Sequence, residues 1–146
     1  MAEDLSGLLT PQRRLRARFE DFRAALARRD RAAYALAGRD FEECLRRFTR
    51  AEEDVLLPLL SDAAIPGRDA RRELRLEYVQ LRELSRFLAD QIAQDAAMSD
   101  VLGLVENLAR RLAAHEGDME SVYYPAAAPR LSEADRRALA AAAPSE

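Results

Sequence analysis

Four stretches of this chain space their apolar residues in alternating steps of three and four, and that spacing leaves little choice of fold. Such steps return to one side of a helix every two turns, so each stretch carries a stripe that must be buried. The first stripe is Gln12, Leu15, Phe19, Phe22 and Leu26. The second is Phe41, Leu45, Phe48, Glu52, Val55 and Leu59, and the third is Leu74, Tyr78, Leu81, Ser85, Leu88 and Ile92. The fourth is Val101, Val105, Leu108, Leu112, His115, Met119 and Val122. No strand-like alternation of any length accompanies them. Helices are therefore expected at about 11–28, 31–60, 68–96 and 100–124, with a short fifth at about 132–142.

The punctuation agrees with this division. Thr10 before Pro11 reads as an N-cap followed by proline at the first helical position. Asp30 and Ser99 read as caps of later helices, and "SDAAIPGRD" (61 to 69) as a loop. Ser132 with Asp135 three residues on reads as a capping box. Short links make neighbouring helices antiparallel, and 146 residues suffice for one core. The expected fold is all-α: a single domain over residues 1–146, an up-down-up-down four-helix bundle with a short C-terminal helix.

Composition narrows the function classes. Apolar residues at 49% and charged residues at 34% describe a globular chain. Its 23 basic residues are all arginine, interleaved with 26 acidic ones, and no basic block marks nucleic acid as a partner. Cys44 is alone, which excludes an internal disulfide and a cysteine-based zinc site, and it is expected to be inert packing. The first ten residues are acidic with no long apolar run, and no segment reaches about 18 apolar residues, so a cytoplasmic protein without a membrane span is expected. One histidine and five isolated glycines offer neither a nucleophile–histidine pair nor a phosphate loop, so the chain does not read as an enzyme.

Each stripe also carries one conspicuous polar residue: Gln12, Glu52, Tyr78 and His115. Gln12 lies about 18 residues before the turn near Asp30, and Glu52 about 22 after it. Tyr78 and His115 lie about 20 before and 17 after the turn near Met98. With a rise of about 1.5 Å per residue, all four should meet in one layer near one end of the bundle. A lone buried charge is costly, so Glu52 and His115 are expected to be coupled.

The two halves echo each other. "QRRLRARF" from Gln12 and "YVQLRELSRF" from Tyr78 both place Leu three residues on and Arg four on. "FTRAEEDVLLP" (48 to 58) aligns with "HEGDMESVYYP" (115 to 125). On these motifs, with "RLSEADRRAL" after them, the chain resembles the hemerythrin-like family, also called HHE cation-binding domains, from Leu8 to Leu139. The resemblance implies a bundle in which each hairpin supplies a histidine from its first helix and a His-x-x-x-Glu pair from its second, together holding two irons. Those six positions fall on Gln12, Phe48, Glu52, Tyr78, His115 and Met119 in this chain. Two of them, Glu52 and His115, keep the family's residue type, and Glu120 offers a carboxylate one position after Met119.

Two readings follow. In one, no cofactor is bound: Glu52 pairs with His115, Tyr78 and Gln12 satisfy the remaining groups, and Phe48 and Met119 fill the space of lost ligands. The protein is then a binding, sensing or regulatory module with a small-molecule or protein partner, and a homodimer is compatible with it. In the other, Glu52 and His115 with Tyr78 or Glu120 hold iron in an altered mono- or dinuclear site that handles oxygen or a related oxidant. Heme fits poorly, because His115 and Met119, one turn apart, cannot take opposite faces of one ring. Tyr123 and Tyr124 are expected to pack against the bundle end.

Overall fold

The computed structural model describes residues 5–60 and 65–145. Four long helices, α1 (Ser6–Ala27), α2 (Arg31–Leu56), α3 (Ala70–Ala93) and α4 (Met98–Asp118), pack in sequence order, and no strand occurs among the described residues. A π-helical turn (Met119–Tyr123) and a short α5 (Tyr124–Ala127) continue α4. The last helix, α6 (Glu133–Ala142), lies across α1 and α2.

The caps are partly those expected. Asp30 accepts a hydrogen bond from the Ala33 amide, and Ser132 and Asp135 form the reciprocal box that starts α6. Two expected caps are corrected. Thr10 and Pro11 lie inside α1, which starts at Ser6 and buries Leu8 in its first turn. Pro11 leaves the Gly7 carbonyl without its helical donor, which is tolerable because Gly7 is exposed to water. Ser99 is likewise inside α4, whose capping position is Ala97. Residues 61–64 of the expected loop lie outside the described residues, while Asp69 caps α3. Both short interhelical turns use a left-handed residue, Arg29 and Asp95, each at φ 57°.

All of the first and third stripes are buried. The second and fourth slip by one position past the polar layer. Leu56 and Leu60 are buried where Val55 and Leu59 were expected, because α2 takes a four-residue step from Glu52 to Leu56 where a three-residue step was expected. Tyr123 and Tyr124 are buried where Val122 was expected, because the π turn inserts an extra residue into the helical register. The core forms two apolar clusters. One holds Phe19, Phe22, Phe41, Leu45 and Phe48, and the other Leu56, Leu60, Leu74, Tyr78, Met119 and Tyr124. Cys44 packs half-buried against the first.

Candidate functional site

Gln12, Glu52, Tyr78 and His115 are all buried, and they gather around the boundary between the two apolar clusters. Glu52 is the hub. Its Oε1 accepts from Gln12 Nε2 at 3.1 Å and from the Tyr78 hydroxyl at 3.2 Å. Its Oε2 accepts from the Tyr124 hydroxyl, which in turn accepts from Gln12 Nε2 at 2.9 Å. Gln12, Tyr78 and Tyr124 each direct one proton at Glu52, which acts only as an acceptor, while the second Gln12 proton goes to the Tyr124 oxygen.

His115 joins this layer from the side rather than through Glu52. Its Nδ1 stands 2.9 Å from Glu77 Oε1, and its ring meets the Tyr78 ring edge-on at 5.4 Å. The expected coupling of Glu52 and His115 is present as through-space electrostatics, without a shared hydrogen bond. The reason is geometric. Glu77 sits next to Tyr78 on α3 and reaches His115 across the α3–α4 seam, while donors from α1, α3 and α5 already occupy Glu52. Glu77 also accepts from the Tyr123 hydroxyl at 3.2 Å. His115 Nε2 is buried without a hydrogen-bond partner, the one such side-chain atom among the described residues. Since Nδ1 faces a carboxylate it carries a proton, so the neutral ring leaves a bare lone pair on Nε2.

Burial governs the acid–base character of this layer. It pushes the Glu52 carboxyl above its ordinary 4.5, outweighing the pull of His115 and of the hydrogen bonds from Tyr124, Tyr78 and Gln12. Burial, with Glu52 beside them, also raises the Tyr78 and Tyr124 hydroxyls well above 10.0, so both stay protonated at neutral pH.

The other positions singled out in the sequence are apolar or remote. Phe48 and Met119 are buried and fill space on either side of the layer. Glu120 is exposed and lies at a groove between α1 and α4, of about 360 Å³, that Gln12, Leu15, Phe19 and Leu112 also line. Arg16 and Glu116 form a 3.0 Å ion pair at this groove. Sequence reasoning missed Glu77 and Tyr124. Glu77 adjoins a stripe residue without belonging to the stripe. Tyr124 was expected only as end packing; its hydroxyl, placed by the π turn and α5, is instead a member of the layer.

A bundle of two echoing hairpins closed around a buried polar layer defines the class of this protein. The chain belongs to the hemerythrin family: the model of the hemerythrin HHE cation-binding domain matches residues 5–127. No match was found among curated proteins or among solved structures. No helix among the described residues is long and apolar enough to cross a membrane.

The residues present do not fit a pair of irons. Of the six family positions, Glu52 and His115 have the ligand character such a cluster needs; both Glu52 oxygens accept from protein donors, and the neighbouring Glu77 is held by His115 and Tyr123. The tyrosines hold their protons, and no group of three or more His, Cys, Asp or Glu among the described residues could hold a metal.

Proposed function

We propose that this protein is a binding or sensing module that has kept the family's bundle and given up its two-iron chemistry. The observation that carries the reading is that both Glu52 oxygens are engaged by the protein, accepting from Gln12, Tyr78 and Tyr124. Internal donors occupy three of the carboxylate's roughly four acceptor sites, and a metal would have to displace them. Gln12 also lines the groove between α1 and α4, so a small molecule entering there would meet a residue bonded to both Glu52 and Tyr124. This supports a role in which occupancy is felt by the layer and passed to the packing of α1 against its neighbours. A cytoplasmic location belongs to the same reading.

A second reading, a single cation, is favoured by the bare, buried Nε2 of His115. It needs Glu52 to release at least one donor.

Metal analysis of purified protein, with melting curves in the presence and absence of added ferrous and ferric iron, separates the two. The first reading expects substoichiometric metal and an unmoved melting temperature. Stoichiometric iron, with a visible tyrosinate band lost in Tyr78→Phe, would overturn it.

A further inference from the structure

Gln12 is buried, and its Nε2 is committed inward, to Glu52 Oε1 at 3.1 Å and to the Tyr124 hydroxyl at 2.9 Å. Two acceptors there fix the orientation of the amide, so its carbonyl Oε1 is turned away from them. Oε1 receives no hydrogen bond among the described residues and, unlike His115 Nε2, is not sealed from solvent. Gln12 lines the α1–α4 groove of about 360 Å³, so this oxygen is a free acceptor in its wall. Arg16 and Glu116 pair across the groove at 3.0 Å, and Arg23 pairs with Glu20 at 3.5 Å and Glu106 at 3.3 Å. Glu120, exposed at the groove, has no hydrogen-bond or ion-pair partner among the described residues. The two helices run antiparallel, with Gln12 one turn before Arg16 and Glu120 one turn after Glu116. The free carbonyl and the free carboxylate therefore share one end of the groove. Away from that end the wall is apolar: Leu15 and Phe19 from α1, Ala109, Leu112 and Ala113 from α4.

We infer that this groove binds a small monoamine, an ammonium head on an apolar body. It rests on the reading of the protein as a binding module and names the ligand of that module. An ammonium carries donors only, so it satisfies the Gln12 carbonyl and the Glu120 carboxylate together. Both arginines at the groove are already paired, which leaves one carboxylate in excess and disfavours an anion. The wall from Gln12 to Phe19 runs about 10 Å along α1, enough for a phenylalkyl or short alkyl body. At its far end Arg23 stands over the Phe19 ring, 5.8 Å from the centroid, and repels a second ammonium. A hydrogen bond donated to Gln12 Oε1 polarises the amide and strengthens its hold on Glu52, which carries occupancy into the buried layer.

The test is calorimetric titration of the purified whole protein with phenethylammonium, with hydrocinnamate and putrescine as the anionic and dicationic comparisons. Phenethylammonium should bind with a dissociation constant of about 1 mM or tighter, and the other two at least about tenfold more weakly. Glu120→Gln should lose about three- to fivefold in affinity. Asp118→Asn makes the same charge change on the α3 side of α4 and should lose less than about twofold. Ala113→Leu fills the groove and should abolish binding, whereas Ala114→Leu, on the α3 side, should keep it. Circular dichroism checks that each variant is folded, and Ala109→Leu replaces Ala113→Leu if that variant is not. No binding of phenethylammonium, equal binding of hydrocinnamate or putrescine, or binding unmoved by Glu120→Gln or by Ala113→Leu would each overturn the inference. Metal content of the same sample keeps the two readings apart. Iron-free protein that binds hydrocinnamate instead overturns the amine and leaves the binding module standing, while stoichiometric iron overturns the module itself.

Discussion

His115 Nδ1 lies 2.9 Å from Glu77 Oε1, and this contact, rather than one with Glu52, decides the state of the single histidine. It fixes the neutral ring as the Nδ1–H tautomer. Long-range proton–nitrogen correlation spectra of the neutral ring should show Nδ1 protonated and Nε2 bare. Protonation at Nε2 would contradict the structure. Glu77→Ala should lower stability by about 1–3 kcal/mol in urea unfolding, because the buried Nδ1–H is left without an acceptor.

Glu52 holds three donors at once, so its removal should be the most damaging single change in the layer. Glu52→Ala leaves Gln12, Tyr78 and Tyr124 with unmet hydrogen bonds at a site closed to water. A loss of about 3 kcal/mol or more is expected, with Glu52→Gln recovering about half of it through its remaining carbonyl acceptor. Chemical denaturation of the two variants checks the order.

The raised carboxyl of Glu52 gives its pH dependence a definite sign. A folded-state value above the ordinary 4.5 means that the folded chain holds this proton more tightly than the unfolded chain does. Stability from this group is therefore present at low pH and is lost as pH rises through 4.5 towards the folded value. Wild type should lose stability relative to the non-titrating Glu52→Gln as pH is raised from about 4 to 8. A rising difference would show that hydrogen bonds and His115, not burial, dominate.

Tyr78 and Tyr124 reach opposite oxygens of one carboxylate. Each Tyr→Phe change should cost about 1.5–3 kcal/mol, with Tyr124→Phe the larger because Gln12 also loses an acceptor. The two should be non-additive in a double-mutant cycle, by about 0.5 kcal/mol or more. Strict additivity would mean that they do not share Glu52.

Arg29 adopts a left-handed conformation at φ 57° just past the end of α1. Arg29→Gly should therefore stabilise the protein by about 1 kcal/mol, read as an upward shift in melting temperature. A decrease would show that the arginine side chain contributes more than its backbone strain costs.

The sequence alone determined four amphipathic helices, their antiparallel order, and the height at which Gln12, Glu52, Tyr78 and His115 meet. Periodicity carries that information because one buried stripe per helix must face one core. Tertiary structure decided the partners within the layer. Each residue turns a helix by about 100°, so a stripe places a side chain on a side but not against a chosen atom. The π turn after α4 shifts the register by one residue, bringing Tyr124 to Glu52. Glu77, beside the third stripe, takes the histidine that the stripes alone assigned to Glu52. Hydrogen bonds form to tenths of an ångström, and only packed helices define positions that finely.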